Sequence, residues 1–368
     1  MNRRHFLLTS SLASHAAFGQ SSGDRSGTAM IGVGNRGAYV MQGVLEDPRA
    51  RVAALCDIKA DRLDKAATTA ARDNPQTYKD WRPILDRKDI DAVFIATPPH
   101  LHAEMAIAAL KAGKHVYCEK PIAITAETVR DVVRAAKASN KVFMVGQQLR
   151  SFRQITQAIA KIRQGEIGEI LALKAQRNGA RDLDHNGPSA DWYFDVNKSG
   201  GYLIEMSVHN LDLCNWAAGM YPVRAAGFGG TMLYKNDPPG RTIMDGYQLT
   251  FEYSNGATLS FSQLLYHPSG LPAGAQYVNV YGSKGAVDLM GTKNFYPLEQ
   301  GAAPRQLAPE QEEPRHAHVT AFYDCVTKGA PNPADIKVGA SGALTAILGH
   351  EAIRRGKVMA WKELGVDL

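Results

Sequence analysis

The sequence of 368 residues is poor in cysteine, and the four cysteines that it has do not form a metal-binding pattern. Cys56, Cys118, Cys214 and Cys325 are widely separated, whereas metal-binding cysteines usually come in close pairs. Cys56 and Cys118 also fall in predicted buried strands, where a free cysteine behaves as a small hydrophobic side chain. We interpret all four as structural thiols, and the sequence predicts no metal site.

The sequence also lacks long apolar runs, blocks of basic residues, internal repeats and low-complexity segments. No apolar run after the N-terminus is long enough to cross a bilayer, which predicts a soluble protein without a membrane span. The net charge is only +6, and the basic residues are spread along the chain. Nucleic-acid binding requires a basic cluster, so this distribution argues against a nucleic-acid partner. Length and a hydrophobic content of 45% are those of a globular enzyme with two domains.

Residues 1–20 have the composition of a targeting signal. Arg3 and Arg4 form a charged start, a weakly apolar stretch runs from Phe6 to Phe18, and small residues for cleavage surround Phe18. Two adjacent arginines ahead of a Phe-Leu dipeptide resemble a twin-arginine signal, which directs folded proteins to export. We therefore expect export to the periplasm, and the alternative is an irregular N-terminus of a cytoplasmic protein. Loss of this segment lowers the net charge to about +4.

Apolar strand-like and amphipathic helix-like segments alternate between residues 28 and 150, as in a doubly wound parallel sheet with helices on both faces. This is the pattern of a Rossmann domain. The predicted strands are Ala29–Ile31, Val52–Leu55, Ala92–Ile95, Val116–Cys118 and Val142–Val145. The predicted helices are Ala38–Glu46, Asp61–Arg72, Ala103–Lys111 and Ala126–Lys137.

Strand pairs dominate residues 151–368, which predicts a second α/β domain with a large, mostly antiparallel open sheet. Asn255-Gly256 and the segment 282–285 are each flanked by alternating apolar residues, as in β-hairpins. We expect helices over residues 155–163, 317–327 and 340–355, and a long polar loop from Asn178 to Ser199.

A dinucleotide-binding fingerprint, Gly32-Val33-Gly34-Asn35-Arg36-Gly37, follows the first predicted strand. In this motif Gly32 permits the tight turn, Gly34 lets a pyrophosphate approach the backbone, and Gly37 lets the helix pack on the strand. The helix that follows directs its N-terminus at the phosphates. The alternative is a glycine-rich turn without a ligand.

Asp57 lies 20 residues beyond the last glycine of the motif. A carboxylate at this position accepts hydrogen bonds from the ribose hydroxyls and repels a 2′-phosphate, so NAD is favoured over NADP. Arg36 and Lys59 lie near enough to weaken that preference. Nicotinamide cofactors are scarce outside the cytoplasm, so an exported protein is expected to hold its cofactor tightly and to regenerate it within the catalytic cycle.

Two further segments follow predicted strands, at the edge where open α/β sheets bind ligands. The first runs from Thr97-Pro98 to His102 and should border the cofactor, although His102 fits equally well as a cap of the next helix. The second is Glu119-Lys120-Pro121. There Lys120 either points into the nicotinamide crevice, where it polarises a substrate oxygen, or is an ordinary surface lysine.

A third segment, from Gly200-Gly201 to Asp212, begins with two glycines and is expected to continue as one helix. Glu205, His209 and Asp212 are spaced four and three residues apart, so they share one face of an otherwise apolar helix. An imidazole suits proton transfer near neutral pH, and Glu205 is placed to orient it. Read alone, His209 is as readily a core histidine as a base.

Together these segments resemble one family, that of glucose–fructose oxidoreductase, inositol dehydrogenase and the MocA-like oxidoreductases of rhizopine catabolism. The resemblance covers nearly the whole chain after the signal, and Glu119-Lys120-Pro121 is its most specific part. It implies a Rossmann domain, a second domain that also supports a homo-oligomer (dimer or tetramer), and NAD as cofactor. The cofactor-binding residues that we expect are Gly32, Gly34, Asn35, Arg36, Gly37, Asp57, Thr97, Pro98, His102, Glu119 and Lys120.

The resemblance also implies catalytic roles. Lys120 would hold the reacting hydroxyl and the nicotinamide ribose, and His209 would be the acid/base, with Glu205 as a third catalytic residue. Many sugar-oxidising relatives have an aspartate at the position of Glu205, so the extra methylene leaves substrate geometry and reaction type open. The candidate substrate contacts are Gln148, Arg150, Trp192, Asp195 and Asp212.

Three functions follow, in order of preference. The first is oxidation of a sugar, polyol or sugar derivative by hydride transfer from a ring CH–OH to NAD. The second is a redox-neutral glycoside hydrolase that oxidises, eliminates, adds water and reduces again, so that NAD is returned unaltered. The third is a non-catalytic sensor of sugar or cofactor, which the presence of both Lys120 and His209 argues against.

Overall fold

The computed structural model describes residues 25–179, 190–271 and 274–368, which form two β-sheets with their covering helices. The expected signal at residues 1–20 and residues 180–189 of the expected polar loop lie outside the described residues. None of the helices in the described ranges combines the length and the apolar character needed to cross a membrane.

The first sheet is parallel and confirms the doubly wound arrangement. Its strands are β1 Ser26–Ile31, β2 Ala50–Cys56, β3 Gln76–Tyr78, β4 Ala92–Ile95, β5 His115–Cys118 and β6 Phe143–Val145. The helices between them are α1 Asn35–Glu46, α2 Ala60–Thr69, α3 Arg82–Leu85, α4 His102–Lys111 and α5 Ala126–Lys137. The strand order is β3-β2-β1-β4-β5-β6, so the direction of winding reverses between β1 and β4. Ligands of such sheets bind at the carboxyl ends of the strands beside this reversal.

The short edge strand β3 was not predicted. Two of its three residues are exposed, so it has no apolar run to reveal it. The predicted helix end at Arg72 was also wrong, because α2 ends at Thr69 and Ala71–Asp73 form a separate 3-10 turn. The Thr125 side chain caps α5 by accepting a hydrogen bond from the Thr128 N–H.

The second sheet has nine strands and is antiparallel except for one pair. Its strands are β7 Ile170–Arg177, β8 Arg224–Gly230, β9 Gly246–Glu252, β10 Thr258–Leu264, β11 Gln276–Gly282, β12 Gly285–Asp288, β13 Asn294–Pro297, β14 Arg305–Gln306 and β15 Met359–Ala360. The helices of this half are α6 Arg153–Arg163, α7 Ala190–Tyr193, α8 Val196–Ser199, α9 Tyr202–Glu205, α10 Val208–Ala218, α11 Ala317–Lys328 and α12 Ile336–Arg355. The order is β14-β13-β12-β11-β7-β10-β9-β8-β15, and only β7 and β10 run parallel.

Both predicted hairpins are present, β9–β10 and β11–β12. Alternate residues of β9 and β10, such as Leu249, Phe251 and Phe261, are buried, whereas Thr250 and Ser260 between them are exposed. The buried face packs against α10 and α12. The alternation of buried and exposed residues along each strand therefore indicates that helices cover only one face of this sheet.

Two predicted elements of the second half were wrong. The expected loop from Asn178 to Ser199 contains α7 and α8 within its described part, and the Asp195 carboxylate caps α8 by accepting the Asn197 N–H at 2.9 Å. The expected single helix over 200–212 is broken between Glu205 and Val208.

The boundary at residue 150 separates the strands of the two sheets, but the two parts of the chain still pack against each other. Helix α11 lies against α1 of the first half, and Val319, Phe322 and Tyr323 share a buried cluster with Phe94 of β4. The Tyr323 hydroxyl also hydrogen-bonds the Thr28 hydroxyl on β1 at 2.6 Å. A C-terminal helix thus completes the core beneath the first sheet and joins the two halves.

Candidate active site

A cavity of about 670 Å³ lies at the carboxyl ends of the first-sheet strands, beside the reversal of strand order. The loops after β1, β2, β4 and β5 form one wall, and residues of the segment from α7 to α10 form the other. Fourteen of the predicted site residues line it: Gly32, Gly34, Asn35, Arg36, Asp57, Thr97, Pro98, His102, Glu119, Lys120, Gln148, Trp192, Glu205 and His209. The structure therefore brings together residues from both halves of the chain.

The glycine turn has the shape that a dinucleotide requires. Gly32 has φ +85°, and a Cβ there would lie 2.6 Å from the carbonyl oxygen of Ala96. A Cβ on Gly37 would lie 1.9 Å from the Gly32 carbonyl oxygen, so Gly37 acts by close packing beneath the turn rather than by lining the cavity. Helix α1 begins beside the cavity without a side-chain cap, which leaves backbone N–H groups of its first turn for a pyrophosphate.

Asp57 is fixed at the end of β2 and is only 8% exposed. Its carboxylate accepts the backbone N–H of Val33 and that of Lys59, both at 3.0 Å. Each oxygen retains a lone pair for a ribose hydroxyl. The two cations expected to weaken the NAD preference are both occupied, since Lys59 pairs with Asp191 at 2.6 Å and Arg36 pairs with Glu119. The residues present thus fit NAD.

Replacing Asp57 by alanine is expected to weaken NAD binding by roughly 10- to 100-fold, because the ribose loses its hydrogen bonds to a charged acceptor. NADP binding should weaken less, because the repulsion of a 2′-phosphate is lost together with the ribose contacts. Equilibrium titration of the apoprotein with each cofactor measures both constants. Asp61→Ala, at an exposed position in the first turn of α2, is the matched control. An unchanged NADP-to-NAD affinity ratio in the Asp57 variant would contradict the assignment.

Glu119 is buried and organises the cavity wall rather than projecting freely into it. Its carboxylate accepts the Arg36 Nε–H at 2.7 Å, and a second nitrogen of the Arg36 guanidinium donates to the side-chain oxygen of Gln148. A Cβ on Gly146 would lie 2.5 Å from Glu119 Oε2, so the carboxylate lies directly against the chain after β6. Arg36 and Gln148 therefore form one fixed group with Glu119.

His102 joins two of the cavity loops. Its ring nitrogens lie 2.7 Å from the Pro121 carbonyl oxygen and 2.8 Å from the Thr97 carbonyl oxygen. Burial lowers the pKa of His102, although both carbonyls oppose that shift. The side chain does not cap α4, so of the two sequence interpretations the structure favours the one at the cofactor loops.

Lys120 and Glu205 form an ion pair within the cavity, with 2.9 Å between Nζ and Oε1. Each side chain is 13% exposed. Lys120 Nζ also donates to the backbone carbonyl of Glu205 at 2.5 Å, at the point where α9 ends. This contact lies at the break between α9 and α10. Glu205 therefore positions Lys120, and the expectation that it orients His209 was wrong.

His209 is oriented by a residue that the sequence analysis missed. The Gln147 side-chain oxygen lies 2.9 Å from His209 Nδ1. Since this oxygen can only accept, Nδ1 carries the proton and Nε2 has the free lone pair. Burial first, and then the positive charges of Lys120, Arg177 and Arg36, lower the pKa of His209 well below its usual range. The imidazole is therefore neutral at pH 7 and ready to accept a proton.

The predicted substrate contacts divide into two groups. Trp192 and Gln148 line the cavity, whereas Arg150, Asp195 and Asp212 do not. Arg150 and Asp212 face each other in a bidentate ion pair, with N–O distances of 2.8 and 2.9 Å, and the aspartate side chain is 1% exposed. Breaking a buried pair of this kind costs about 3–5 kcal/mol. The role of these two residues is therefore structural, as is that of Asp195 in capping α8.

The site can activate a hydroxyl group. An ammonium at Lys120 stabilises negative charge on the oxygen that loses its proton, and a neutral imidazole at His209 accepts that proton. Both side chains line the cavity that the glycine turn enters, so a cofactor held at the turn and a hydroxyl held by Lys120 share one cavity. Among the described residues, no group of three or more His, Cys, Asp or Glu side chains is arranged to hold a metal ion.

Comparison with known proteins agrees with this geometry. Residues 27–147 match the oxidoreductase family with an NAD-binding Rossmann fold, and residues 155–288 match the GFO/IDH/MocA C-terminal domain. An uncharacterized oxidoreductase of Streptococcus pneumoniae serotype 4 is 30% identical over 82% of this chain and 80% of that protein. A 2,7-anhydro-N-acetylneuraminate hydratase of Mediterraneibacter gnavus is 28% identical over 72% of this chain and 67% of that protein.

Among solved structures, a levoglucosan dehydrogenase in complex with NADH and levoglucosan has a TM-score of 0.77. The superposition covers 91% of this chain and 99% of that one at 22% identity, which shows a shared fold. The two domain matches and the 30% identical relative go further than the fold. The chain belongs to the GFO/IDH/MocA family of oxidoreductases, and its residues 27–147 form an NAD-binding Rossmann domain.

Proposed function

We propose that this oxidoreductase acts on a secondary hydroxyl of a sugar, polyol or sugar derivative, with NAD as the electron acceptor. The observation that carries the proposal is the convergence of Lys120 and His209 on the cavity entered by the glycine turn. Two relatives support the substrate class, since levoglucosan and 2,7-anhydro-N-acetylneuraminate are both anhydro sugars.

The contacts of the site residues indicate which part of the reaction each of them performs. The turn over residues 32–37, the Asp57 carboxylate and the loop at Thr97-Pro98 would hold NAD, which when bound supplies the acceptor for hydride. Lys120, held by Glu205, binds the substrate hydroxyl and stabilises the charge on its oxygen as the proton leaves. His209 accepts that proton at Nε2, and Gln147 keeps the ring in the tautomer that can do so.

The same proposal includes a tightly held cofactor. Asp191, Trp192, Tyr193 and Lys198 line the wall of the cavity opposite the glycine turn. The ion pair between Lys59 and Asp191 connects that wall to the loop after β2, next to Asp57. A dinucleotide on the first sheet would thus lie beneath a second layer of chain, which slows its release.

The test is the near-ultraviolet absorbance of purified protein, without added NAD, during exposure to a panel of sugars and glycosides. A reduced-nicotinamide band that appears once and continues only with added NAD would indicate a dehydrogenase with exchangeable cofactor. Sustained product formation without a lasting band would indicate a cofactor that is regenerated in place. Absence of both across the panel would defeat the proposal.

A second candidate is the redox-neutral route, in which a sugar is oxidised, loses a group by elimination, adds water and is reduced again. It is favoured by Glu205, whose Oε2 is buried without a hydrogen-bond partner among the described residues while Oε1 pairs with Lys120. Elimination beside a carbonyl needs a second group that takes a proton from carbon, and a carboxylate serves that purpose. Release of nitrophenol from a nitrophenyl glycoside without added NAD would distinguish this route from net oxidation.

We further propose that the protein is exported in the folded state by a twin-arginine signal at residues 1–20. Paired arginines at the start of the sequence support this proposal. The double substitution of Arg3 and Arg4 by lysine is expected to retain the full-length precursor in the cytoplasm, as measured by fractionation and immunoblotting. Periplasmic, shortened protein from that variant would contradict it.

Homo-oligomerisation, as a dimer or tetramer, is also proposed. The support is the face of the second sheet opposite its helices, where Phe228 on β8 is 86% exposed and Tyr296 on β13 is 41% exposed. A second copy of the chain would cover this face. Light scattering that gives the mass of a single chain would contradict the proposal.

A further inference from the structure

The short loop after β6 contacts α10 at two positions on the same face of that helix. Residues 148–151 form a 3-10 helix directly after Gln147, and the Arg150 N–H donates to the Gln147 carbonyl oxygen at 3.0 Å. The side chains of Gln147 and Arg150 are therefore one helical turn apart. His209 and Asp212 are also about one turn apart, because residues three positions apart share a face of an α-helix. The two spacings match, so Gln147 contacts His209 while Arg150 contacts Asp212.

These two contacts differ in strength. His209 Nδ1 lies 2.9 Å from the Gln147 side-chain oxygen, and this is a single hydrogen bond between neutral groups. The amide nitrogen of Gln147 is buried without a hydrogen-bond partner among the described residues, so no second bond of this side chain holds it there. Arg150 and Asp212 form a bidentate, charge-assisted pair, in which each bond is roughly twice as strong as a neutral one. The ion pair therefore determines how the loop and α10 lie against each other.

Arg150 is also held to α10 at a second point. Its guanidinium carbon lies 4.6 Å from the centroid of the Trp216 ring, which is one turn beyond Asp212 on the same helix. The side chains of Arg150 and Asp212 are 10% and 1% exposed, so solvent ions screen their attraction less than that of a surface pair. One arginine side chain thus fixes the loop along a full turn of α10.

The same loop is attached to the wall of the cavity that carries Lys120. The Arg36 guanidinium donates to the side-chain oxygen of Gln148 and pairs with Glu119, which directly precedes Lys120 in the chain. The loop therefore has the cavity wall on one side and α10 on the other. The position of the His209 imidazole relative to the Lys120 ammonium is set through it.

We infer that Arg150 and Asp212 are positioning residues for His209. Their ion pair keeps α10 against the loop, so that Nδ1 of the imidazole stays on the Gln147 oxygen and Nε2 remains the proton acceptor. Neither Arg150 nor Asp212 lines the cavity, so their effect on the reaction passes through His209. The inference rests on the proposed function, in which His209 is the base, but the state of the imidazole can be measured without any substrate.

The first measurement is therefore the tautomer of His209. A nitrogen-15 spectrum of histidine-labelled protein shows which ring nitrogen carries the proton, and the signal that is lost in His209→Asn identifies this residue. In the unmodified protein the proton is expected on Nδ1. Asp212→Asn retains the shape of the side chain but not its charge, and it should move part of the population to the Nε2–H form. Arg150→Lys retains the charge but not the planar fork, and it should have a smaller effect in the same direction.

The second measurement is the rate of reduced-nicotinamide formation. Asp212→Asn is expected to lower kcat by about tenfold or more, as misplacement of a reacting group does. The KM for the sugar should stay within about threefold, because neither residue of the pair contacts the substrate. In a His209→Asn background the same substitution should change kcat by less than about twofold, because the group that it positions is already absent.

The pair of Arg49 with Asp47 provides a matched control. It is also bidentate, with N–O distances of 2.8 and 2.6 Å, and the Asp47 side chain is 3% exposed. It lies beyond the end of α1 that is opposite the cavity. Asp47→Asn should lower the thermal midpoint, as Asp212→Asn does, and leave both the His209 tautomer and kcat unchanged.

Trp216→Leu is a milder variant that loosens Arg150 without leaving a buried charge unpaired, and it replaces Asp212→Asn in both measurements if that variant does not fold. It should shift the tautomer and kcat in the same direction by a smaller amount.

The outcomes separate this inference from the function on which it rests. An unchanged His209 tautomer in the folded variants, an equal loss of kcat with and without His209, or a rise in KM that accounts for the whole loss would overturn it. A tautomer that shifts in the Arg150 and Asp212 variants and not in Asp47→Asn supports it. If no sugar were oxidised by the unmodified protein, the proposed function would fail, and the spectrum would still decide whether the pair positions His209.

Discussion

Replacing Lys120 by alanine is expected to lower kcat/KM by about 10³-fold, the usual loss when a group that stabilises developing charge is removed from a closed site. The ammonium lies within the cavity and is held by Glu205 through both its carboxylate and its backbone carbonyl. Its loss leaves the substrate oxygen without a counter-charge at the moment its proton leaves. Bound NAD should be retained, because the glycine turn and Asp57 are not touched by the change.

The measurement has two readouts, the rate of reduced-nicotinamide formation and the amount of NAD that copurifies with the protein. Lys111→Ala, at the exposed end of α4, removes the same charge away from the cavity and should leave both unchanged. Lys120→Arg retains the charge but not the shape of the donor, and should recover only part of the rate. Turnover of the alanine variant within tenfold of the unmodified protein would remove Lys120 from the chemistry.

The sequence predicted the first sheet well because every one of its strands except the edge strand β3 is buried on both faces. Such strands are short apolar runs separated by amphipathic helices, and this pattern is local. The positions of Asp57 and Lys120 follow from it, since Asp57 directly follows β2 and Lys120 lies two residues after β5, at the edge where ligands bind. The edge strand β3 escaped prediction because it is exposed and has no such run.

What could not be predicted is which charged groups pair with each other. Arg36 with Glu119, Lys120 with Glu205, and Arg150 with Asp212 are each separated by more than 60 residues. The periodicity of apolar residues in a sequence indicates which face of a helix or strand a residue occupies. It does not indicate which distant residue that side chain contacts. Glu205 was assigned to His209 by helical spacing, and that assignment was wrong because the helix is broken between the two residues and Glu205 pairs with Lys120.

Gln147 was missed for a different reason. It is a glutamine two residues after a buried strand, and an uncharged amide at that position carries no signal of catalysis by itself. The importance of Gln147 appears only in the structure, where His209 Nδ1 on α10 lies 2.9 Å from the Gln147 side-chain oxygen. A search of all polar residues within two positions of the strand ends would have included it, together with many residues that have no role.

His209→Asn is the second large effect that we expect, a fall in kcat/KM of about 10²- to 10⁴-fold at pH 7, because no side chain then accepts the hydroxyl proton. In the unmodified protein burial and the nearby cations lower the pKa of His209 well below 6.5. The base form therefore predominates at neutral pH, and kcat/KM should stay constant as the pH falls to 6.5 and decline only below that. The variant should instead gain rate with rising pH, as hydroxide replaces the imidazole.

Gln147 supplies the matched test of this assignment, because it contacts His209 but not the reacting atoms. Gln147→Glu places a carboxylate against Nδ1–H, which should raise the pKa of His209 and move the acid limb of the pH profile up by about one to three units. Gln147→Leu removes the acceptor without adding charge, so it should lower kcat without that upward shift. An acid limb that moves equally in both variants, or in neither, would show that the limb does not belong to His209.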